Sequence, residues 1–463
     1  LYAAREPIFP RRVSGRFRQL KWWIMAVTLS IYYLMPWLRW DRGPAMPDQA
    51  VLVDLTNRRF YFFFIEIWPQ EFYFVAGLLI MAGLGLFLFT AALGRVWCGY
   101  TCPQTVWTDL FILVERWIEG DRNARVRLWN APWTATKIRL RAIKWTIWLM
   151  IAVLTGGAWV FYFTDAPTLL GQLFRFEAPA TAYMSIAILT ATTFVFGGFM
   201  REQVCIYMCP WPRIQAAMMD EGTITVGYRV ARGEPRGKHQ ARSDAPHGDC
   251  VDCHACVNVC PMGIDIRDGQ QLACITCALC IDACDDVMAK VGKPRGLIDY
   301  LSLAEEAGAA TPGGLTWRTI LRPRILLYTT LWSGIGIGLL YALVVRTDLS
   351  LSVEPVRNPI NVTLSDGSIR NAYELRLRNM TGYPREVAVS ANAEAPLRLE
   401  LQGLEGLVIT LPANETLRQR VYLTSTPDSP ATEEPSLPVQ FIAEDTGGDA
   451  RTVEDSVFHG RQR

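Results

Sequence analysis

Residues 250–260 read Cys-Val-Asp-Cys-His-Ala-Cys-Val-Asn-Val-Cys, and residues 274–284 read Cys-Ile-Thr-Cys-Ala-Leu-Cys-Ile-Asp-Ala-Cys. Each run is C-x2-C-x2-C-x3-C, and thirteen residues lie between them. Three thiolates at that interval wrap one side of an iron–sulfide cube, and the fourth has to arrive from a distant point so that the chain closes around the metal. A structural zinc module is the alternative for closely spaced thiolates, but eight cysteines in two copies of this run argue against it. All 12 cysteines lie within residues 98–284, and the last 179 residues hold none. That distribution argues against a disulfide framework and for metal ligation in a reducing compartment.

In bacterial two-cluster ferredoxins the fourth cysteine of each run serves the other cluster. On that pattern Cys250, Cys253, Cys256 and Cys284 hold cluster I, and Cys274, Cys277, Cys280 and Cys260 hold cluster II. Ile264 and Ile281 fall where an apolar side chain covers a cluster. The first run ends in Cys-Pro and the second in Cys284-Asp285, a departure that removes no ligand. His254, inside the first run, is expected to face solvent.

The rest of the chain is apolar and aromatic: 51% hydrophobic, 19% charged, with 16 Trp, 16 Tyr and 20 Phe. This is the composition of a membrane protein with soluble parts. A formal net charge of +2 gives no sign of a nucleic-acid partner. Five segments approach the roughly 17–25 apolar residues that a span needs: 22–38, 73–93, 145–163, 182–200 and 325–345. Residues 58–74 are aromatic but broken by Glu66, Pro69 and Glu71; they read as an interfacial segment, with a sixth span as the alternative. The chain begins at Leu1 rather than Met, so a few residues are expected to precede it. Its first 21 residues are basic and its first apolar run lacks a small-residue cleavage site, so no cleavable signal is expected. Residues 94–144 hold nine bases, against one in 164–181. By the positive-inside rule the N-terminus is cytoplasmic, the cluster segment between spans four and five is cytoplasmic, and the C-terminal part is periplasmic.

Two shorter motifs come after spans two and four: Cys98-Gly99-Tyr100-Thr101-Cys102-Pro103 and Cys205-Ile206-Tyr207-Met208-Cys209-Pro210. They read as an internal repeat of loop, span and C-x3-C-P. On a helix, cysteines at i and i+4 share a face. Four soft thiolates at the membrane surface suit copper(I), zinc or a further iron–sulfur cluster, or an electron relay. The plainer reading takes each cysteine as a small buried hydrophobe. Only His239, His247, His254 and His459 occur and none lies in a span, which excludes a bis-histidine membrane haem. Residues 104–118 read as an amphipathic interfacial helix, with Val106, Trp107, Leu110, Phe111, Val114 and Trp117 on one face and Asp109, Glu115 and Arg116 on the other.

The predicted organisation is therefore a membrane domain (1–227), a flexible polar linker (228–249) holding His239 and His247, a two-cluster domain (250–300), an Ala/Gly-rich connector (301–324), a fifth span (325–345) and a β domain (346–463). In the last of these, Tyr373, Leu375 and Leu377 alternate with charged residues, and Asp366-Gly367 and Thr381-Gly382 mark turns. Such short alternating runs predict an immunoglobulin-like sandwich. The fold class is a polytopic α-helical membrane protein with an inserted ferredoxin domain and a C-terminal β-sandwich.

This arrangement resembles the FixG/CcoG/RdxA family of cytochrome c oxidase accessory proteins. The supporting strings are residues 14–18 (SGRFR), 57–61 (NRRFY), 97–105, 232–237 (RGEPRG) and 250–284. The resemblance covers essentially the whole chain. It implies a bacterial inner-membrane protein serving assembly of cbb3-type oxidases, with reduction of copper(II) to copper(I) as the activity. Implied partners are copper ions, oxidase assembly factors or copper chaperones, membrane lipid and a cytoplasmic electron donor; a second copy of the chain is a further candidate. The paired-cysteine unit also resembles quinol-oxidising polyferredoxin subunits. A third reading is a non-enzymatic assembly scaffold.

Overall fold

The computed structural model describes residues 6–237, 248–306 and 321–461. The chain divides into two units, Leu1–Leu38 with Gln49–Leu339, and Arg39–Asp48 with Leu340–Arg463.

In the first unit the apolar runs form long helices, in which every backbone group is satisfied within a single segment. Those long and apolar enough to cross a membrane are α2 (Phe72–Leu93), α6 (Ala135–Val160), α8 (Ala180–Thr193) with its π-helical continuation Phe194–Met200, and a last helix, Pro323–Val345. Shorter helices α5 (Arg122–Asn130) and α7 (Ala166–Arg175) stand before and after α6 in the chain. The expected first span is helical as α1 (Arg16–Leu34), but it is not among these four. Its opening turns carry Arg16, Arg18 and Lys21, which lowers its hydropathy. Residues 58–74 form no sixth span. They belong to an antiparallel meander of β1 (Val51–Asp54), β2 (Arg59–Phe62) and β3 (Ile65–Ile67), in which Leu52 pairs with Tyr61 and Tyr61 with Glu66. Arg59 bonds the buried Glu66 at 3.2 Å, so the charge that breaks the apolar run is matched inside the sheet.

The helix at the expected third span, α6, begins ten residues before Trp145. Thr134 caps α6, its hydroxyl accepting from the Lys137 amide at 3.3 Å. The added turns set Lys137, Arg141 and Lys144 at i, i+4 and i+7, on one face.

The two-cluster domain is wider than its cysteines. Strand β4 (Ile224–Tyr228) pairs antiparallel with β5 (Ile298–Ser302), Ile224 opposite Ser302. Between them lie α10 (Val230–Gly233), α11 (Ala255–Val259) and α12 (Leu279–Lys290). The expected flexible linker is held at both described ends. Arg232 bonds Asp249 at 2.6 Å, and the Gly237 amide donates to the Cys250 carbonyl at 3.1 Å. His239 and His247, and residues 307–320 of the connector, lie outside the described residues.

The second unit holds the β-sandwich. One sheet runs β10 (Leu397–Leu401), β12 (Thr416–Ser425), β8 (Ile369–Asn379), β6 (Leu349–Pro355), with β7 (Val362–Thr363) also on β8. The other runs β11 (Val408–Leu411), β9 (Arg385–Ala393), β13 (Leu437–Asp445), β14 (Arg451–Phe458). Burial alternates residue by residue along β8, as a half-buried strand requires. Tyr373, Leu375 and Leu377 point into a core with Val387, Val421, Leu423 and Phe441.

Candidate metal centres

The two cysteine runs share one backbone path. Asp252 and His254 in the first run, and Thr276 and Ala278 in the second, have φ between 51° and 59°. These are the same two positions of each run, and none is glycine. A left-handed residue twice in five positions is costly for ordinary side chains and persists where the surroundings impose it. Here it coils each run about a point. Helices α11 and α12 then carry thiols of both groups: Cys256 and Cys260 lie in or at the end of α11, Cys280 and Cys284 in α12.

The eight thiols lie within one small domain. Cys284 is close enough to Cys256, Cys253 and Cys250 for their charges to interact. Cys280 stands likewise with Cys277, Cys274 and Cys260, and also with Cys256 of the first group. Cys250, Cys256, Cys277 and Cys284 are buried and Cys253 is exposed. Ile281 is buried beside the first group and Ile264 lies against the second. Burial pushes Cys256 and Cys274 up to about 11 and Cys260 and Cys284 to about 12. Thiols so placed ionise only where positive charge is supplied, which is what iron does on binding. The donor set and its burial fit two clusters.

Arg267, which the sequence reading passed over, is buried beside the first group. Its guanidinium donates to Asp252 Oδ1 at 2.6 Å, to Asp265 Oδ2 at 2.6 Å and, from 4.0 Å, to Cys250 Sγ. His254 is exposed as expected, and its Nδ1 lies 2.9 Å from Arg267 Nη2.

The C-x3-C-P pairs are a structural repeat as well as a textual one. Gly94, four residues before Cys98, has φ 59° and ψ −124°; Arg201, four before Cys205, has φ 44° and ψ −111°. At the second cysteine of each pair the amide reaches back five residues, Cys102 to the Trp97 carbonyl at 3.0 Å and Cys209 to the Val204 carbonyl at 2.8 Å. Pro103 and Pro210 then open α4 (Pro103–Glu119) and α9 (Trp211–Met218). The first cysteine of the second pair sits in a π-helical turn, Val204–Met208, where the first pair has the α-helical α3, Val96–Tyr100. Arg201 holds its left-handed backbone through its own side chain, donating to the Gly198 carbonyl at 2.8 Å and to Glu115 at 2.9 Å.

These four cysteines meet at one place. Cys205 interacts with Cys102, Cys98 and Cys209, and the Cys98 thiol donates to the buried Gln215 Oε1 at 3.2 Å. Cys98 and Cys205 also pack against the buried cluster of Val259, Met262, Ile275, Cys277, Leu279 and Ala283 in the two-cluster domain. Tyr100 donates to the Cys277 carbonyl at 3.2 Å, and Arg95 bonds the Leu272 carbonyl. Among the described residues no three His, Cys, Asp or Glu side chains are set to hold a single metal ion.

Helix α4, beside them, is not laid with its polar face to water. Asp109, Glu115 and Glu119 are buried, and Trp117 is 79% exposed. Glu115 is met by Arg125 at 3.0 Å, Lys144 at 3.1 Å and Arg201 at 2.9 Å; Glu119 by Lys144 at 2.8 Å; Asp109 by Arg18 at 2.9 Å. Burial alone would raise Glu115, but Arg201, Lys144 and Arg125 outweigh it and hold its carboxyl at about 2. This network ties α1, α4, α6 and the second repeat into one scaffold under the thiols. The signal missed in the sequence was the i, i+4, i+7 row of bases in α6.

Taken together, the fold and its thiols define an iron–sulfur electron-transfer protein with two 4Fe-4S clusters and the apolar helices of a membrane protein. Residues 200–303 match the 4Fe-4S dicluster domain, residues 74–121 a 4Fe-4S binding domain, and residues 339–461 the IG-like fold at the C-terminus of FixG. Among known proteins, Protein RdxB of Cereibacter sphaeroides is 64% identical across 100% of this chain and 98% of its own length. Protein RdxA of the same organism is 61% identical over 97% of this chain and 95% of its own. The nitrogen fixation protein FixG of Rhizobium meliloti is 53% identical over 100% and 92%. The chain belongs to the FixG/RdxA family.

Proposed function

We propose that this protein takes electrons from a cytoplasmic donor and delivers them to copper(II), producing copper(I) for assembly of a cbb3-type oxidase. The observation that carries the reading is the packing of Cys98 and Cys205 against the apolar cluster that holds Cys277, with Tyr100 bonded to the Cys277 carbonyl. In this reading Cys250, Cys253, Cys256 and Cys284 hold one cluster, and Cys274, Cys277, Cys280 and Cys260 the other. Each cluster, when bound, supplies reversible one-electron exchange at a potential set by its surroundings.

The chain's own residues do the rest. Exposed Cys253 marks the face open to a donor, and the apolar contact of Ile275 and Met262 with Cys98 and Cys205 keeps water from the junction. Each copper(II) takes one electron and no proton. Soft thiols favour the copper(I) that results, so the four membrane cysteines serve as relay and as the place where copper is met. Copper as the acceptor, and the oxidase as the beneficiary, rest on the family resemblance.

Five spans, a cytoplasmic two-cluster domain and a periplasmic sandwich complete the proposal. The geometry of α1 supports counting it as a span. It starts beside Asp109 in α4, and at its far end Tyr32 donates to the Thr155 carbonyl and accepts from Tyr162, each within 2.9 Å. Nineteen residues make about 28 Å of helix, close to the ~30 Å hydrocarbon thickness. Basic loops at the α4 end support the cytoplasmic assignment. The sandwich is then placed to meet assembly factors or a copper chaperone.

The test is the double variant Cys98→Ser/Cys102→Ser, reduced anaerobically and mixed with copper(II), with cluster signals followed by EPR. Loss of copper reduction with cluster absorbance intact is expected. Unchanged copper reduction removes these cysteines from the path. Oxidation of a quinol by a wild-type protein that leaves copper(II) untouched makes the quinol the electron donor and removes copper as the acceptor.

A further inference from the structure

Between the start of α1 and the outer side of α4 lies a cavity of about 910 Å³. Its charged lining is Arg12, Arg18 and Arg116, and among the described residues no acidic side chain lines it. Arg18 is 6% exposed; its Nη1 is bonded to Asp109, and its Nη2 is buried with no hydrogen-bond partner. Arg116 bonds the Pro10 and Arg11 carbonyls through Nη2, and its Nε is likewise buried without a partner. Asp282, the nearby acid of α12, is spent on the Phe17 and Arg18 amides. Burial, together with the Arg18 and Arg125 guanidiniums beside it, pulls Arg116 down to about 10. These two N–H groups are buried beneath the lining, and the planar guanidinium forks of the three arginines that line the cavity match a phosphate.

The rim identifies the kind of anion. Trp22, Trp23 and Trp117 line the same cavity, and Trp23 and Trp117 are 72% and 79% exposed. Arg18 lies over the Trp22 ring at 4.8 Å. Beyond them α1 presents Val27 and Ile31, also exposed. Tryptophan at such a border marks the headgroup level of a bilayer. The space far exceeds a free phosphate, and an inorganic ion gains nothing from an indole rim.

We propose that this cavity binds the headgroup of an anionic glycerophospholipid, its phosphate among Arg12, Arg18 and Arg116 and its acyl chains leaving along Trp22, Trp23 and the exposed side of α1. The site is separate from the thiols, so it stands whatever the electron acceptor is.

The experiment is native mass spectrometry of the full chain in a neutral detergent, titrated with phosphatidylglycerol, phosphatidylcholine and inorganic phosphate. Phosphatidylglycerol is expected to bind at least about tenfold tighter than phosphatidylcholine and to resist displacement by phosphate. Arg12→Gln/Arg116→Gln weakens it about thirty-fold, near fivefold per arginine, with cluster absorbance unchanged. Where that variant loses its absorbance, Arg12→Gln alone decides, since its side chain is exposed; a fivefold loss is expected. Equal binding of the two lipids, variants that bind like the wild type, or displacement by inorganic phosphate each overturn the proposal.

Discussion

Gly99 is the point at which the membrane cysteines touch the two-cluster domain, and a single methyl there tests whether the contact matters. A Cβ on Gly99 would stand 2.6 Å from the Ile275 carbonyl oxygen, 3.0 Å from Cys277 Cα and 3.1 Å from its nitrogen. All three are backbone atoms of a loop pinned by its own thiols, so they yield little. Ordinary contact begins at 3.4 Å, so α3 must back away by about 0.8 Å. Overpacking of this kind costs about 1–3 kcal/mol, taken from the docking of α3. The Tyr100 bond to the Cys277 carbonyl, 3.2 Å at present, would lengthen past useful range. Cys98 moves with its neighbour. Copper(II) reduction by Gly99→Ala is expected to fall by roughly tenfold to a hundredfold, the scale on which an ångström acts on a positioned reaction. The assay is anaerobic stopped-flow mixing of dithionite-reduced protein with copper(II), with iron content measured alongside. Gly157→Ala in α6 is the control, because its Cβ would meet nothing within 4 Å. A Gly99→Ala protein with full iron and the wild-type rate would refute the claim that this contact sets the distance to the thiols.

Two further outcomes concern buried charges. Glu115→Gln leaves Arg125, Lys144 and Arg201 buried around a neutral amide, and a loss of about 3–5 kcal/mol is expected in urea unfolding near neutral pH. Because Glu115 is depressed to about 2 from 4.5, its contribution is whole above about 4.5 and drains away as pH falls toward 2. The gap between wild type and variant must therefore narrow in acid, and a gap that stays constant contradicts the assignment. Arg267→Met removes the cation beside Cys250 and takes its guanidinium from Asp252 and Asp265, which disfavours the added electron. The potential of one cluster should drop by about 60 mV, tenfold for a one-electron couple, in an EPR-monitored titration; two unchanged potentials would exclude Arg267 as a tuning group.

The features legible in the sequence were the local ones. The cysteine spacing, the alternation of Tyr373, Leu375 and Leu377, and the C-x3-C-P pairs each sit within a dozen residues. Periodicity found the helix at 104–118 but misjudged its surroundings. It tells which side chains share a face, not which face is covered, and Arg18, Lys144 and Arg201 arrive from distant segments to cover Glu115 and Asp109. Composition reads residues 228–249 as one linker, and the pairing of Arg232 with Asp249 at its described ends leaves no trace in a local window. The meander at 51–67 was hidden for the same reason: Glu66 looks like a break until Arg59 of the neighbouring strand is seen bonded to it. Gly94 is a legible signal for a left-handed turn, whereas Arg201 in the same state is not, since only its side-chain bonds to Gly198 and Glu115 hold it there.

That pair of residues bears on how the repeat is used. Both halves keep the left-handed turn, the five-residue backbone bond and the proline, so the frame around each cysteine pair is common to both. The residue after the first cysteine differs: Gly99 in one half, Ile206 in the other. Gly99 lets backbone meet backbone at Ile275 and Cys277, while Ile206 fills the neighbouring space with an apolar side chain among Met262, Ile275 and Cys277. One half therefore supplies close approach and the other a dry seal on the same loop. If the halves were interchangeable, a side chain at 99 would be tolerated and the loss of one at 206 would open no void. Cys98 is adjacent in the chain to the glycine that touches the Cys277 loop, and Tyr100, one residue beyond that glycine, is bonded to the same loop. Two cysteine pairs on a common frame thus act as a docking half and a sealing half around one loop.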